Sequence, residues 1–186
     1  MSRTIEEPDY EVLRTVGEVE LREYAPYVVA EVLITGPANE AGNRAFPILA
    51  GYIFGKNKGE RKFAMTAPVT QTAAPVRMAM TAPVTQTSAS EGTAVHFVLP
   101  KGVTLANAPE PMDSRVQLRE VQAHRVGAIR YSGLWTESNN QAQLVKLQAE
   151  LRAADLDWTG DPVYARYNGP MTPWFMRRNE IWLTLR

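Results

Sequence analysis

The two histidines, His96 and His124, are the first residues to test for chemistry. Each sits in an alternating apolar run, AVHFVLP and AHRVGAIRY, where a strand side chain is packed or lies at the surface. No serine, cysteine or aspartate pairs with either in a catalytic pattern. Carboxylate pairs such as Glu6 with Glu7 and Glu18 with Glu20 have the spacing of solvated faces and no glycosidase signature. The absence of cysteine removes thiolate nucleophiles, disulfides, zinc ribbons and Cys-ligated iron. No glycine pattern between a strand and a helix offers a nucleotide cradle. The expectation is a binding protein with no catalytic residues, not an enzyme.

Two other sets of side chains remain. Met65, Met78 and Met80 fall in strand-like segments, while Met171 and Met176 lie in the Pro- and aromatic-rich NGPMTPWFMRRNE. Thioethers fill irregular cores, and they also line tetrapyrrole pockets and ligate haem iron. The cations of GKNKGERK (Lys56, Lys58, Arg61 and Lys62) read either as a solvated loop complementing a helix C-terminus or as a docking point for ligand carboxylates.

The elements that must position these residues follow from length and pattern. A chain of 186 residues supports one well-buried core, so 1–186 is read as a single domain. Lys+Arg and Asp+Glu both number 20, which removes the electrostatic reason to seek nucleic acid. The chain opens without an apolar targeting segment, and its apolar runs stay far below the roughly 18 residues of a membrane helix, so a cytoplasmic protein without a membrane partner is expected.

The chain also repeats itself. Val19–Gly36 (VELREYAPYVVAEVLITG) matches Val116–Gly133 (VQLREVQAHRVGAIRYSG) at an offset of 97 positions, with identities that include Arg22/Arg119 and Glu23/Glu120. A helical pattern follows each copy. In the first half Ala41, Ala45, Leu49, Tyr52 and Ile53 recur at helical spacing before Gly55, with a kink expected at Pro47. In the second, Leu144, Leu147 and Leu151 form a stripe behind a capping-box spacing of Ser138 and Gln141. Strand-like KFAMTAPV and TAVHFVLP follow the first helix, and VYARYN and EIWLTL the second. A short tandem repeat, AMTAPVTQT, occupies Ala64–Thr72 and Ala79–Thr87. The loops TSASEGT and NAPEPMD read as surface connections, the second joining halves of about 8–105 and 114–186. The fold class is α+β: two strand-helix-strand-strand halves, related by a pseudo-twofold, curling into a distorted antiparallel β-barrel with two helices.

The strings EEPDYEVLRTVGEVELREYAPYVVAEV, AFPILAGYIFGKN, KFAMTAPVTQT, HFVLP and YNGPMTPWFMRRNEIWL, in this order from about residue 8, resemble the SOUL or haem-binding protein family. The fold is also similar to effector-binding domains of bacterial regulators. The resemblance implies non-covalent binding of haem or a metal-free porphyrin, as carrier, buffer or sensor. The ligand would lie in an apolar groove between the first helix, about 39–54, and the loop before the last strand, about 169–178. The groove would be formed by Phe46, Ala50, Gly51, Phe54, Met171 and Trp174, with Arg44 or Arg177 meeting the propionates. The family histidine proposed as an iron ligand is replaced by Glu23, and family cations by Asn43, Gly51 and Thr172, so the sequence designates no iron ligand. A general small-molecule sensor or protein-interaction module on the same scaffold is the alternative, and an uncharacterised hydrolase a third reading.

Overall fold

The computed structural model describes residues 5–59, 77–78, 80–169 and 171–186. Nine strands form one antiparallel sheet: β1 (Tyr10–Val16), β2 (Val19–Tyr24), β3 (Tyr27–Ile34), β4 (Val84–Ala89), β5 (Gly92–Val98), β6 (Gln117–Val121), β7 (His124–Tyr131), β8 (Trp158–Arg166) and β9 (Asn179–Leu185). Helix α1 (Ala38–Ile53) follows β3, and α2 (Glu137–Ala153) follows β7. The spatial order is β1-β2-β7-β9-β8-β4-β5-β3-β6. β1 and β6 remain as edges, so the sheet curls without closing into a barrel.

Setting β1 aside, the order reads the same from either end when β2, β3, β4 and β5 are exchanged with β6, β7, β8 and β9. The register obeys the same exchange. Glu20 of β2 pairs with Ala128 of β7. Moving each into the other half by 97 positions gives Gln117 opposite Glu31, the pair between β6 and β3. The symmetric order centres on the short β4–β8 ladder, where Gln86 pairs with Tyr164.

Both helices lie on one face of the sheet. α1 buries Ala41, Ala45, Leu49 and Ile53 against the alternating Ala30, Val32, Val95 and Phe97. It runs through Pro47 as one continuous helix. α2 buries Leu144, Leu147 and Leu151 against Leu21, Ile129 and Ile181. Its N-cap is Thr136, whose hydroxyl accepts from the Asn139 amide, and not Ser138 as the capping-box spacing suggests. Several other expectations are revised. What reads as one strand segment at the start of each repeat is two strands, broken at Ala25-Pro26 in the first half and at Gln122-Ala123 in the second, and β1 precedes the first pair. The connection between the halves is not wholly superficial, since Ala108 is buried and the Pro109 carbonyl accepts from the Tyr52 hydroxyl at 2.7 Å. Arg61, Lys62, KFAMTAPV and the first AMTAPVTQT copy lie outside the described residues.

The helix-free face carries buried charge. Glu180 on β9 accepts from Arg22 at 2.7 and 3.0 Å, from the Tyr167 hydroxyl at 2.8 Å and from Trp182 Nε1 at 2.8 Å. Arg178 Nε adds a bond at 3.0 Å. Burial alone would raise the Glu180 carboxyl; the Arg22 bonds and charge, with Arg178 behind them, hold it down at about 2. For Arg22, burial opposes the charge, and the bonds to Glu180 outweigh it, so its pKa is raised.

Candidate functional site

The helix-bearing face carries the sequence-designated site. Four-residue spacing places Gly42, Phe46, Ala50 and Phe54 in one row along α1, spanning roughly 18 Å at 1.5 Å per residue. Phe46 and Phe54 are each 47% exposed. The Phe46 ring meets Phe97 edge-on at 5.5 Å, so its inner edge is anchored while its outer surface faces solvent. Ala50 belongs to the core beneath the helix. Gly51 leaves room for the stem of Lys56, since a Cβ there would come within 3.1 Å of Lys56 Cδ. Arg77 lies over the Phe54 ring at 5.7 Å.

The closing segment contributes more apolar surface. Met171, Trp174, Phe175 and Met176 are all exposed, Met171 at 94%. Trp174–Met176 forms a single 3-10 turn, and the Trp174 carbonyl accepts from the Gly133 amide at 3.0 Å. The segment is therefore tied to the β7–α2 turn, where Leu134 is also exposed. Large apolar side chains grouped at a surface mark candidate interaction sites.

The two cations expected at the site differ in placement. Arg177 Nε donates to the Thr172 carbonyl at 2.8 Å, within the closing segment. Arg44 lies two residues from Phe46, roughly 200° around the helix, and its guanidinium donates to the Thr35 carbonyl. The structure thus brings Phe46, Ala50 and Phe54 together and turns Arg44 away from them.

Pattern reading passed over two residues. Arg166 and Tyr164 project from β8 on the helix-bearing face, because Ala165 and Tyr167 between and beyond them pack on the other face. The Arg166 guanidinium lies 3.9 Å from the centroid of the Trp135 ring, which meets Tyr164 edge-on. A Cβ on Gly42 would sit 3.9 Å from Arg166 Nη1 and 3.3 Å from Gln86 Oε1. Burial pulls the Arg166 pKa down to about 10; Tyr131 opposes this and the Arg177 charge adds to it. Arg166 stands beside the Gly42 end of the α1 row. The signal was present as a charged residue at a helix-facing position of VYARYN.

Both histidines lie on the helix-free face. His96 Nε2 is 2.6 Å from Glu31, and Arg119 also reaches Glu31 at 3.0 Å. The His124 ring stacks on Tyr24 at 5.6 Å. Two hollows of about 310 and 350 Å³ also lie away from the α1 row, the first between the segment at Glu6–Asp9 and the loop at Pro100–Thr104. The Gly42 end of the α1 row lies beside Gln86 and Arg166, at the β4–β8 ladder. Among the described residues, no group of His, Asp or Glu is arranged to hold a metal ion, and no helix is long and apolar enough to cross a membrane.

An open antiparallel sheet bearing two helices on one face also occurs in solved structures. The C-terminal domain of EcmrR superposes with a TM-score of 0.61 at 12% identity, covering 95% of this chain and 98% of that one. A hydrolase from Listeria innocua gives 0.58 at 11% identity, covering 91% and 92%. At such identities the likeness is one of fold.

Sequence comparison narrows the class. The model described as SOUL heme-binding protein matches residues 5–184, and the chain belongs to that family. Human heme-binding protein 2 is 30% identical over 170 residues, covering 90% of this chain and 78% of the relative. Mouse heme-binding protein 1 is 28% identical over 148 residues, covering 79% and 73%.

Proposed function

We propose that the protein binds haem or a metal-free tetrapyrrole non-covalently, as a carrier, buffer or sensor. The ligand would lie along Phe46, Ala50, Gly51 and Phe54 of α1 and against Met171 and Trp174, with Arg177 near its carboxylates and Arg44 in a secondary place. The observation that carries the reading is the concentration of exposed aromatic and thioether side chains on α1 and the closing segment of a SOUL-family chain. A porphyrin offers a broad apolar face, and covering it contributes about 25 cal/mol per Å². Its carboxylates stay at the solvent edge, where guanidinium groups pair with them.

These residues suit a macrocycle held by its faces and edge. Neither histidine is on the helix-bearing face, while the Met171 thioether is exposed in the closing segment. Haem, when bound, supplies an iron whose redox and ligand-exchange behaviour is set by its axial ligands and surroundings. The protein's own part is to exclude water from one face and orient the carboxylate edge.

The test is titration with haemin and with protoporphyrin IX, followed by Soret absorbance and porphyrin fluorescence. Saturable binding at low micromolar ligand is expected. Phe46→Ala and Trp174→Ala should each weaken it roughly tenfold, and Trp174→Ala should do so without changing the unfolding temperature. Absence of saturable binding, or wild-type affinity in both variants, would overturn the proposal.

A further inference from the structure

Among the described residues, two buried guanidinium nitrogens lack a hydrogen-bond partner: Arg178 Nη2 and Arg166 Nε. Arg178 Nη2 lies 2.9 Å from the Glu180 carboxylate, so its charge is answered. Arg166 has no carboxylate within ion-pair distance among the described residues. Its near neighbours are the Trp135 indole face, the Gln86 amide and the α1 backbone at Gly42, and the Arg177 charge also acts on it.

Such an arrangement costs stability. A buried donor without an acceptor keeps its desolvation penalty unanswered, and the Arg177 charge adds repulsion. Stacking on Trp135 returns part of this, but a ring face accepts nothing from Nε. If packing against Trp135 were the only requirement, an apolar side chain of similar volume would meet it without the penalty. Gly42 is the complementary feature: any side chain there would crowd Gln86 and cover Arg166 Nη1 from the α1 side.

We infer that Arg166, stacked on Trp135 and open toward Gly42, is an anion anchor that receives a carboxylate of an aromatic or macrocyclic ligand lying along the Gly42–Phe46 end of α1. The ligand class rests on the reading of that row as a ligand surface. An anion at Nη1 would pair with the Arg166 charge and offset the repulsion from Arg177 in one step. Arg44 then has no required part in carboxylate recognition, because its guanidinium is committed to the Thr35 carbonyl on the other side of the helix.

Three ligands separate the possibilities: protoporphyrin IX, its dimethyl ester and 2-naphthoate. The wild-type protein should bind the diacid at least tenfold more tightly than the diester, with the preference shrinking as salt is raised. Arg166→Gln should weaken the diacid about tenfold and leave the diester unchanged. Arg166→Lys should fall between, since it keeps charge and loses the fork. Lys101→Gln, which removes an exposed cation paired with Asp9 away from α1, should change neither. 2-Naphthoate should quench the fluorescence of Trp135, identified by its loss in Trp135→Phe, and not in Arg166→Gln.

Equal binding of diacid and diester by the wild type would overturn the anchor while leaving tetrapyrrole binding intact, and this comparison does not depend on any variant folding. Equal loss for both ligands in Arg166→Gln would overturn it as well. Arg166-dependent quenching by naphthoate with no binding of either porphyrin would sustain the anchor and remove the tetrapyrrole reading.

Discussion

Replacing Glu180 by alanine tests whether the buried charge cluster is a matched set or surplus polarity. Glu180 and Arg22 are 0% and 1% exposed, and the carboxylate receives both forks of Arg22 together with Tyr167 and Trp182. Its removal leaves a guanidinium sealed in the protein with only Glu20, at 2.8 Å from Nε, as a charged partner. The expected loss is about 3–5 kcal/mol, because the remaining charge keeps its desolvation penalty. Replacing both partners, as in Arg22→Met with Glu180→Met, should cost less than Glu180→Ala alone, since no orphan charge remains. The pH dependence has a definite sign. The folded carboxyl sits near 2 against an ordinary 4.5, so the unfolded chain binds more protons between those values. The stabilisation is complete above pH 4.5 and disappears as pH falls toward 2. That shift corresponds to about 3 kcal/mol, a slope that Glu180→Gln should lack. Urea unfolding followed by tryptophan fluorescence, at pH 7 and through the acid range, measures all of these. A Glu180→Ala protein within about 1 kcal/mol of wild type, or a double variant less stable than the single, would refute the reasoning.

Leu151 is fully buried beneath α2, and its methyl groups fill the space above Gly127. Leu151→Ala should cost about 2–5 kcal/mol in urea unfolding. Gly127→Ala, whose Cβ would lie 2.8 Å from Leu151 Cδ2, should cost about 1–3 kcal/mol by overpacking. The two substitutions should partly compensate when combined. Thr136→Ala removes the acceptor for the Asn139 amide and should lower stability by about 1 kcal/mol, with Thr136→Ser close to wild type.

The fold was legible where one face of an element meets the core. The alternation of Ala30, Val32, Val95 and Phe97 and the stripe of Leu144, Leu147 and Leu151 carry their burial in their spacing. β1 was not legible, because its side chains are mostly exposed and it pairs only along one edge. Phe46, Phe54, Met171 and Trp174 of the candidate site were singled out by the family motifs and not by local spacing. Arg166 was not singled out at all. Arg44 and Arg177 are near the motif in sequence, whereas Arg166 joins them only through the meeting of β8 with β4, a contact between halves that local periodicity does not contain.

That meeting also bears on how a matched scaffold acquires one site. Exchanging the halves carries Arg22 to Arg119, and both run to the helix-free face: Arg22 to Glu180, Arg119 to Glu31 beside His96. The common plan therefore places an arginine–carboxylate pair on that face in each half, where it holds strands together. The face that bears the helices is shared differently. Its centre is the Gln86–Tyr164 pair, so a side chain beside it reaches both halves at once, and Arg166 does this by lying between Gly42 of the first and Trp135 of the second. Two equivalent cations at such a junction would repel at short range. A single anchor, offset from the axis and flanked by Arg177 of the closing segment, gives the junction a direction. A ligand with one charged edge can then be bound in one orientation, whereas a fully symmetric junction would offer it two.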